Sequence, residues 1–217
     1  MSLRSSPHAG AKVLEGGLPL GKGSRVIILL HGRGGSAEDI LSLGRTLEFD
    51  DVTYLAPQAV GHTWYPNSFM ASIASNEPWL SSALALTELL VNRCEEAGIA
   101  PSRLAIMGFS QGACLATEFV ARNPRSYGAL VALTGGLIGP GDTDLDHSGG
   151  LLGTRALLSS GDPDPHVPWS RVEASARQLT TMGATVELMR YPGRPHTVLA
   201  EEIASARSLI EAAWQDR

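Results

Sequence analysis

The sequence predicts an α/β domain, built on a mainly parallel sheet of about six to seven strands with helices on both faces. Three observations predict it. From Arg25 onward, short β-branched runs alternate with longer segments of helical spacing, the pattern of strands joined by helical crossovers. Val26-Ile-Ile-Leu-Leu30 is apolar at every position, as a strand covered on both faces must be. No repeat or linker interrupts the 217 residues, so 1–217 reads as a single domain.

Around Val13-Leu14 an antiparallel edge strand is expected. After the strand at 26–30, Ser36 to Phe49 reads as a helix, with Ser36 at the N-cap and Asp39 three residues on, close to a capping box. Val52 to Ala56 is the next strand, stopped by Pro57. Trp79 to Ala97 is a long helix ending at Gly98, a good terminator. A strand at Leu104–Gly108 leads into a helix at Gln111–Arg122, closed by Asn123-Pro124. Strands follow at Ala129–Leu133, Ala156–Ser160 and Thr185–Tyr191, with a helix over Arg171–Met182. The last helix, Val198 to Trp214, carries Ile203, Ala206, Leu209, Ile210 and Ala213 as one apolar stripe.

Two irregular stretches are too long to be idle turns. Pro57 to Pro78 holds Trp64, Tyr65, Phe69 and Met70, a plausible wall for an apolar pocket. Ile138 to Gly150, rich in Gly and Asp, reads as a solvated excursion, too short for a helical cap domain.

A net charge of −5 offers no basic face for a phosphate backbone, so nucleic acid is not an expected partner. The only two cysteines, Cys94 and Cys114, make no disulfide framework and suit a reducing compartment. The N-terminus lacks the apolar core of a signal peptide, and the longest apolar run is far too short to cross a bilayer. A soluble cytoplasmic protein without membrane insertion is therefore expected. The oligomeric state, a homodimer included, is left open.

Gly108-Phe-Ser110-Gln-Gly112 fits G-x-S-x-G, a weak pattern alone but stronger where a strand precedes it and a helix follows. The glycines let a tight turn present Ser110 at the C-terminal edge of the sheet, at a helix N-terminus that favours developing negative charge. Serine needs a base and the base an orienting acid, in this fold class in the order Ser, Asp or Glu, His. Of the three histidines that follow, His196 lies just past the last strand, at the same sheet edge; His147 falls in the polar excursion, where solvation is expected, and His166 lies in the segment that holds the candidate acids. Asp162 and Asp164 both qualify as the acid on loop geometry. Backbone N–H groups for an oxyanion would come from Gln111 and from His31-Gly-Arg33-Gly-Gly35. That Gly-rich turn lacks the lysine spacing of a phosphate loop. The Arg33 side chain is either solvated or available to a substrate anion. Cys114 reads as packing rather than a redox handle. No metal and no cofactor are required, although Asp162, Asp164 and His166 form a crowded conceivable cluster.

Taken together, Leu30-His-Gly-Arg-Gly34, Ala56-Pro-Gln58, Gly108 to Ala113, Gly161-Asp-Pro-Asp-Pro-His-Val-Pro168 and His196 resemble the bacterial carboxylesterase/phospholipase group of α/β-hydrolases, related to acyl-protein thioesterases and also called family VI esterases. The resemblance implies an α/β-hydrolase fold without a cap domain. Its G-x-x-D-x-x-V pattern falls on Gly161, Asp164 and Val167, which favours Asp164 as the acid, and its oxyanion donors fall on the backbones of Arg33 and Gln111. It implies a serine carboxylesterase acting on a small-molecule ester. An acyl-protein thioesterase or lysophospholipase is the alternative. A peptidase is disfavoured by the missing cap or propeller, and a silent binding module by the complete Ser110, Asp164, His196 set. A dienelactone-type hydrolase would be expected to carry cysteine at 110.

Overall fold

The unbroken apolar run at 26–30 has a direct cause in the computed structural model, which describes residues 6–141, 145 and 147–215. Strand β2 (Arg25–Leu30) lies inside the sheet, and alternate side chains serve opposite cores. Val26, Ile28 and Leu30 belong to one, Ile27 and Leu29 to the other, and all five are fully buried. Removing five aliphatic side chains from water contributes on the order of 10 kcal/mol of transfer free energy, enough to make this strand a rigid platform.

Seven strands stand in the order β1 (Val13–Gly17), β3 (Val52–Pro57), β2, β4 (Leu104–Phe109), β5 (Ala129–Leu133), β6 (Arg155–Asp162) and β7 (Thr185–Pro192). β1 pairs antiparallel with β3 and every other pair is parallel. Helices α3 (Trp79–Glu96), α4 (Gln111–Arg122) and α5 (Trp169–Thr181) pack on the first core. The other core is covered by α1 (Ala37–Arg45) and α6 (Ala200–Gln215). A short helix, α2 (Ile73–Asn76), and a single 3-10 turn at Val60–His62 interrupt the long stretch after β3.

The helix expected over 36–49 is shorter. It opens with a full capping box, the Ser36 Oγ accepting from Asp39 N at 3.1 Å while Asp39 accepts from Ser36 N at 2.9 Å. It closes at Arg45 because the Thr46 N–H and hydroxyl both return to Leu43 O, and Glu48 has a φ of 53°, outside any helix. The segment from 138 is not solvated at its start. Ile138 is buried, its N–H donates to the buried Glu118, and Arg171 donates to the carbonyls of Leu137 and Pro140. His147, expected in solvent, is partly buried with its Nε2 at 3.8 Å from Glu118. No helix among the described residues is long and apolar enough to cross a membrane.

Candidate active site

The loops that leave β4, β6 and β7 at their C-terminal ends bring Ser110, Asp164 and His196 together. The Ser110 hydroxyl is 2.9 Å from His196 Nε2, and His196 Nδ1 is 2.8 Å from Asp164 Oδ2. A carboxylate only accepts, so Nδ1 carries the proton and Nε2 is left to accept from Ser110.

Ser110 has φ 53° and ψ −118°, a conformation that costs a non-glycine residue on the order of 1–3 kcal/mol and is tolerated where the surroundings enforce it. They do so here. Its N–H donates to Leu133 O on the neighbouring strand at 2.9 Å. A Cβ on Gly108 would stand 2.3 Å from the Gly112 backbone, and one on Gly112 would stand 2.0 Å from Leu30 O. The G-x-S-x-G glycines are thus a steric requirement of the turn. Gln111 is the first residue of α4, so its N–H has no partner within the helix. The Arg33 N–H has no backbone partner among the described residues either.

Asp164, not Asp162, meets the histidine. Its side chain is fully buried, and its Oδ1 accepts from the N–H groups of His166 and Val167, each at 2.9 Å. Burial works against the charged form, but the bonds from His196 and these two amides prevail and hold the carboxyl below its ordinary range. Asp162 pairs instead with Arg190 at the sheet edge. Among the described residues, no group of three or more His, Cys, Asp or Glu is placed to hold a metal.

The loop carrying His196 rests on a buried ion pair. Arg194 binds Glu202 and reaches Thr134 Oγ1 at 2.6 Å, and Glu202 also accepts from Ser159 Oγ at 2.5 Å and Leu199 N at 2.8 Å. Such a pair stabilises little on net, but it fixes one geometry, since removing either partner strands a buried charge. Neither residue stood out in the sequence.

A cavity of about 490 Å³ opens beside Ser110 and His196. Of the four aromatic and apolar residues expected in its wall, Tyr65 and Phe69 line it; Trp64 and Met70 do not. Met70 packs partly buried against the core. Trp64 is buried with its ring beside those of His8 and His31, and its Nε1 donates to His31 O at 2.8 Å. It supports the loop that follows β2 from behind. Phe109, His166 and Val167 line the cavity without having been singled out for it; each immediately neighbours a motif residue or lies within the Asp164 turn, the signal that could have found them. Cys114 also lines it, but burial pushes its thiol up to about 12, which keeps it protonated and unreactive.

His8 and His31 share one pH consequence. His31 donates from Nδ1 to Gly32 O at 2.8 Å and accepts the Ala59 N–H at Nε2, while His8 bridges Trp64 O and Val60 N. Burial lowers both imidazoles' affinity for protons. The unfolded chain protonates them near about pH 6.5, so their contribution to stability is complete above that pH and is lost as the pH falls below it. We expect the urea midpoint to drop between pH 7.5 and 5.5, and to drop less in His8→Gln. A midpoint flat over that range would contradict the assignment.

A serine, a histidine and an aspartate from three loops at the C-terminal edge of a mostly parallel sheet define an α/β-hydrolase. The chain belongs to the phospholipase/carboxylesterase family of hydrolases, whose model matches residues 17–214. A crystal structure of a phospholipase/carboxylesterase from Dyadobacter fermentans superposes with a TM-score of 0.89 at 43% identity, covering 93% of this chain and 97% of that one. A probable carboxylesterase of Arabidopsis thaliana is 26% identical over 87% of this chain and 79% of its own length. Acyl-protein thioesterase 1 of Saccharomyces cerevisiae is 27% identical over 86% of this chain and 92% of its own length.

Proposed function

We propose that this protein is a serine carboxylesterase that hydrolyses small to medium acyl esters through an acyl-enzyme. The observation that carries the proposal is the unbroken hydrogen-bonded chain from Ser110 through His196 to Asp164 at the edge of a ligand-sized cavity. His196 Nε2 takes the Ser110 proton as the oxygen attacks the ester carbonyl. The carbonyl oxygen gains negative charge and is received by the N–H groups of Arg33 and Gln111, with the α4 N-terminus adding its dipole. Asp164, ionised and buried, holds the imidazole tautomer and stabilises the imidazolium. The imidazolium then protonates the departing alcohol, and water repeats the sequence on the acyl group.

No step calls on a cofactor. A cytoplasmic location is part of this reading, supported by two buried cysteines that are unpaired. The thioester reading is the alternative, and the yeast thioesterase relative favours keeping it in the test.

The test is hydrolysis of nitrophenyl esters from acetate to decanoate beside acyl thioesters of matched length, with phosphonate labelling of the nucleophile. We expect ester turnover, a preference within the short-to-medium range, and one phosphonyl adduct at Ser110. No turnover on any ester by the folded protein would sink the esterase reading; turnover confined to thioesters would establish its alternative.

A further inference from the structure

The two residues whose backbones are assigned to the oxyanion share another feature, which the reaction steps leave unused. Both side chains bind the same stretch of the cavity wall. Arg33 Nη1 donates to Pro66 O at 2.8 Å, and Arg33 Nη2 donates to Tyr65 O at 3.0 Å and Asn67 O at 2.6 Å. Gln111 Nε2 donates to Tyr65 O at 2.8 Å, while its Oε1 accepts from Trp64 N at 3.0 Å and from Thr63 Oγ1 at 3.2 Å.

Three consecutive carbonyls on one guanidinium are not an incidental surface contact. Residues 65–67 lie outside every helix and strand, so the 65–67 carbonyls lack a ladder, and Arg33 supplies donors to each. A planar fork can meet several acceptors at fixed angles, whereas a lysine ammonium is a compact point charge on a flexible stem. The same residues, Tyr65, Pro66 and Asn67, line the cavity beside Ser110. Further along, Asn76 holds the segment from the other side, accepting from Asn67 N at 2.9 Å and donating to Ser68 O at 3.0 Å.

We propose that the Arg33 side chain is a positioning and specificity-determining residue: its guanidinium fastens the 65–67 cavity wall to the oxyanion loop, so that one latch sets both the placement of the Arg33 N–H and the shape of the acyl site. The inference rests on the esterase reading above. It also gives the Arg33 side chain a task other than solvation or capture of a substrate anion, since three of its five N–H donors are committed to carbonyls. A displacement of about 1 Å at a reacting centre costs roughly a hundredfold in rate, so a wall free to drift is expected to show in kcat.

The experiment compares the wild type with Arg33→Ala and Arg33→Lys. Hydrogen exchange of the 59–70 segment is read without substrate, and kcat and KM are measured on nitrophenyl acetate, butyrate and octanoate with active sites counted by phosphonate labelling. In Arg33→Ala we expect faster exchange across 63–68, a fall in kcat of about tenfold to a hundredfold per labelled site, and an altered ranking of the three esters. Guanidinium chloride in the millimolar range should partly restore both exchange and kcat, and sodium chloride at equal ionic strength should not. Arg33→Lys, which keeps the charge and most of the stem, should show the same altered ranking. Unchanged exchange in either variant overturns the proposal. So does an equal loss on all three esters without guanidinium rescue, the signature of general destabilisation. If Arg33→Ala does not fold, Arg33→Lys decides alone, and a wild-type ranking there overturns it. A wild type that turns over no ester defeats the esterase reading instead, and the exchange data still judge the latch.

Discussion

Ser110→Ala is expected to lower kcat for ester hydrolysis by about a millionfold, the scale on which a serine hydrolase loses activity without its nucleophile. The size follows from what remains. The N–H groups of Arg33 and Gln111, proposed above as oxyanion donors, survive the change, but no acyl-enzyme can form, and His196 is left without the hydroxyl it receives at 2.9 Å. The fold should be unaffected. The hydroxyl makes its bond to His196 alone among the described contacts, and the positive φ is imposed by Gly108, Gly112 and the bond from Ser110 N to Leu133 O, none of which depends on Oγ. Thermal unfolding should therefore stay close to wild type while phosphonate labelling disappears. A variant retaining more than about a hundredth of the wild-type rate would mean that another group attacks the substrate, because residual catalysis from the oxyanion hole and binding is far smaller than that.

What the sequence discloses and what it hides divide along the range of the interaction involved. The strand at 26–30, the capping box at Ser36 and Asp39, and the turn at 108–112 are local: each is decided by residues within a few positions, and each is where the pattern puts it. Parallel pairing followed from the crossovers, and it set the histidine after β7 at the same sheet edge as the serine after β4; the order of the strands was not legible. The choice between Asp162 and Asp164 was different, since two carboxylates two residues apart, one closing β6 and one just past it, differ in which reaches His196 and which reaches Arg190. Local geometry left it open, and family resemblance pointed to Asp164. The stretch from 57 to 78 was least legible. Its shape is set by His8, His31, Arg33, Asn76 and Gln111, partners up to more than fifty positions away. An aromatic residue such as Trp64 reads as a pocket wall from composition, yet the bond to His31 O and the flanking imidazoles draw it behind the loop that follows β2. Backbone carbonyls carry no sequence signature, so a side chain that binds only carbonyls, as Arg33 does, leaves nothing in the sequence to find.

Asp164→Asn is expected to reduce kcat by about ten-thousandfold, against a change of no more than about twofold for Asp162→Asn. The asparagine keeps an oxygen for the N–H groups of His166 and Val167, so the turn itself should persist. Its amide, however, also presents donors toward His196. An NH2 facing Nδ1 favours the tautomer with the proton on Nε2, which then points a donor at the Ser110 hydroxyl and cannot accept its proton. The imidazolium formed during attack would also lose the buried carboxylate that neutralises it. In the wild type that carboxylate is ionised well below neutral pH, because the bonds from His196 and two backbone amides outweigh its burial. The Asp162 partner, Arg190, is mostly solvent-exposed, and an exposed pair of this kind is worth at most about 1 kcal/mol. Steady-state kinetics of the two variants, with pH held where wild-type turnover is maximal, make the comparison. Equal losses from both would mean that the loop acts as one structural unit. A large loss from Asp162→Asn alone would transfer the orienting role to the other carboxylate.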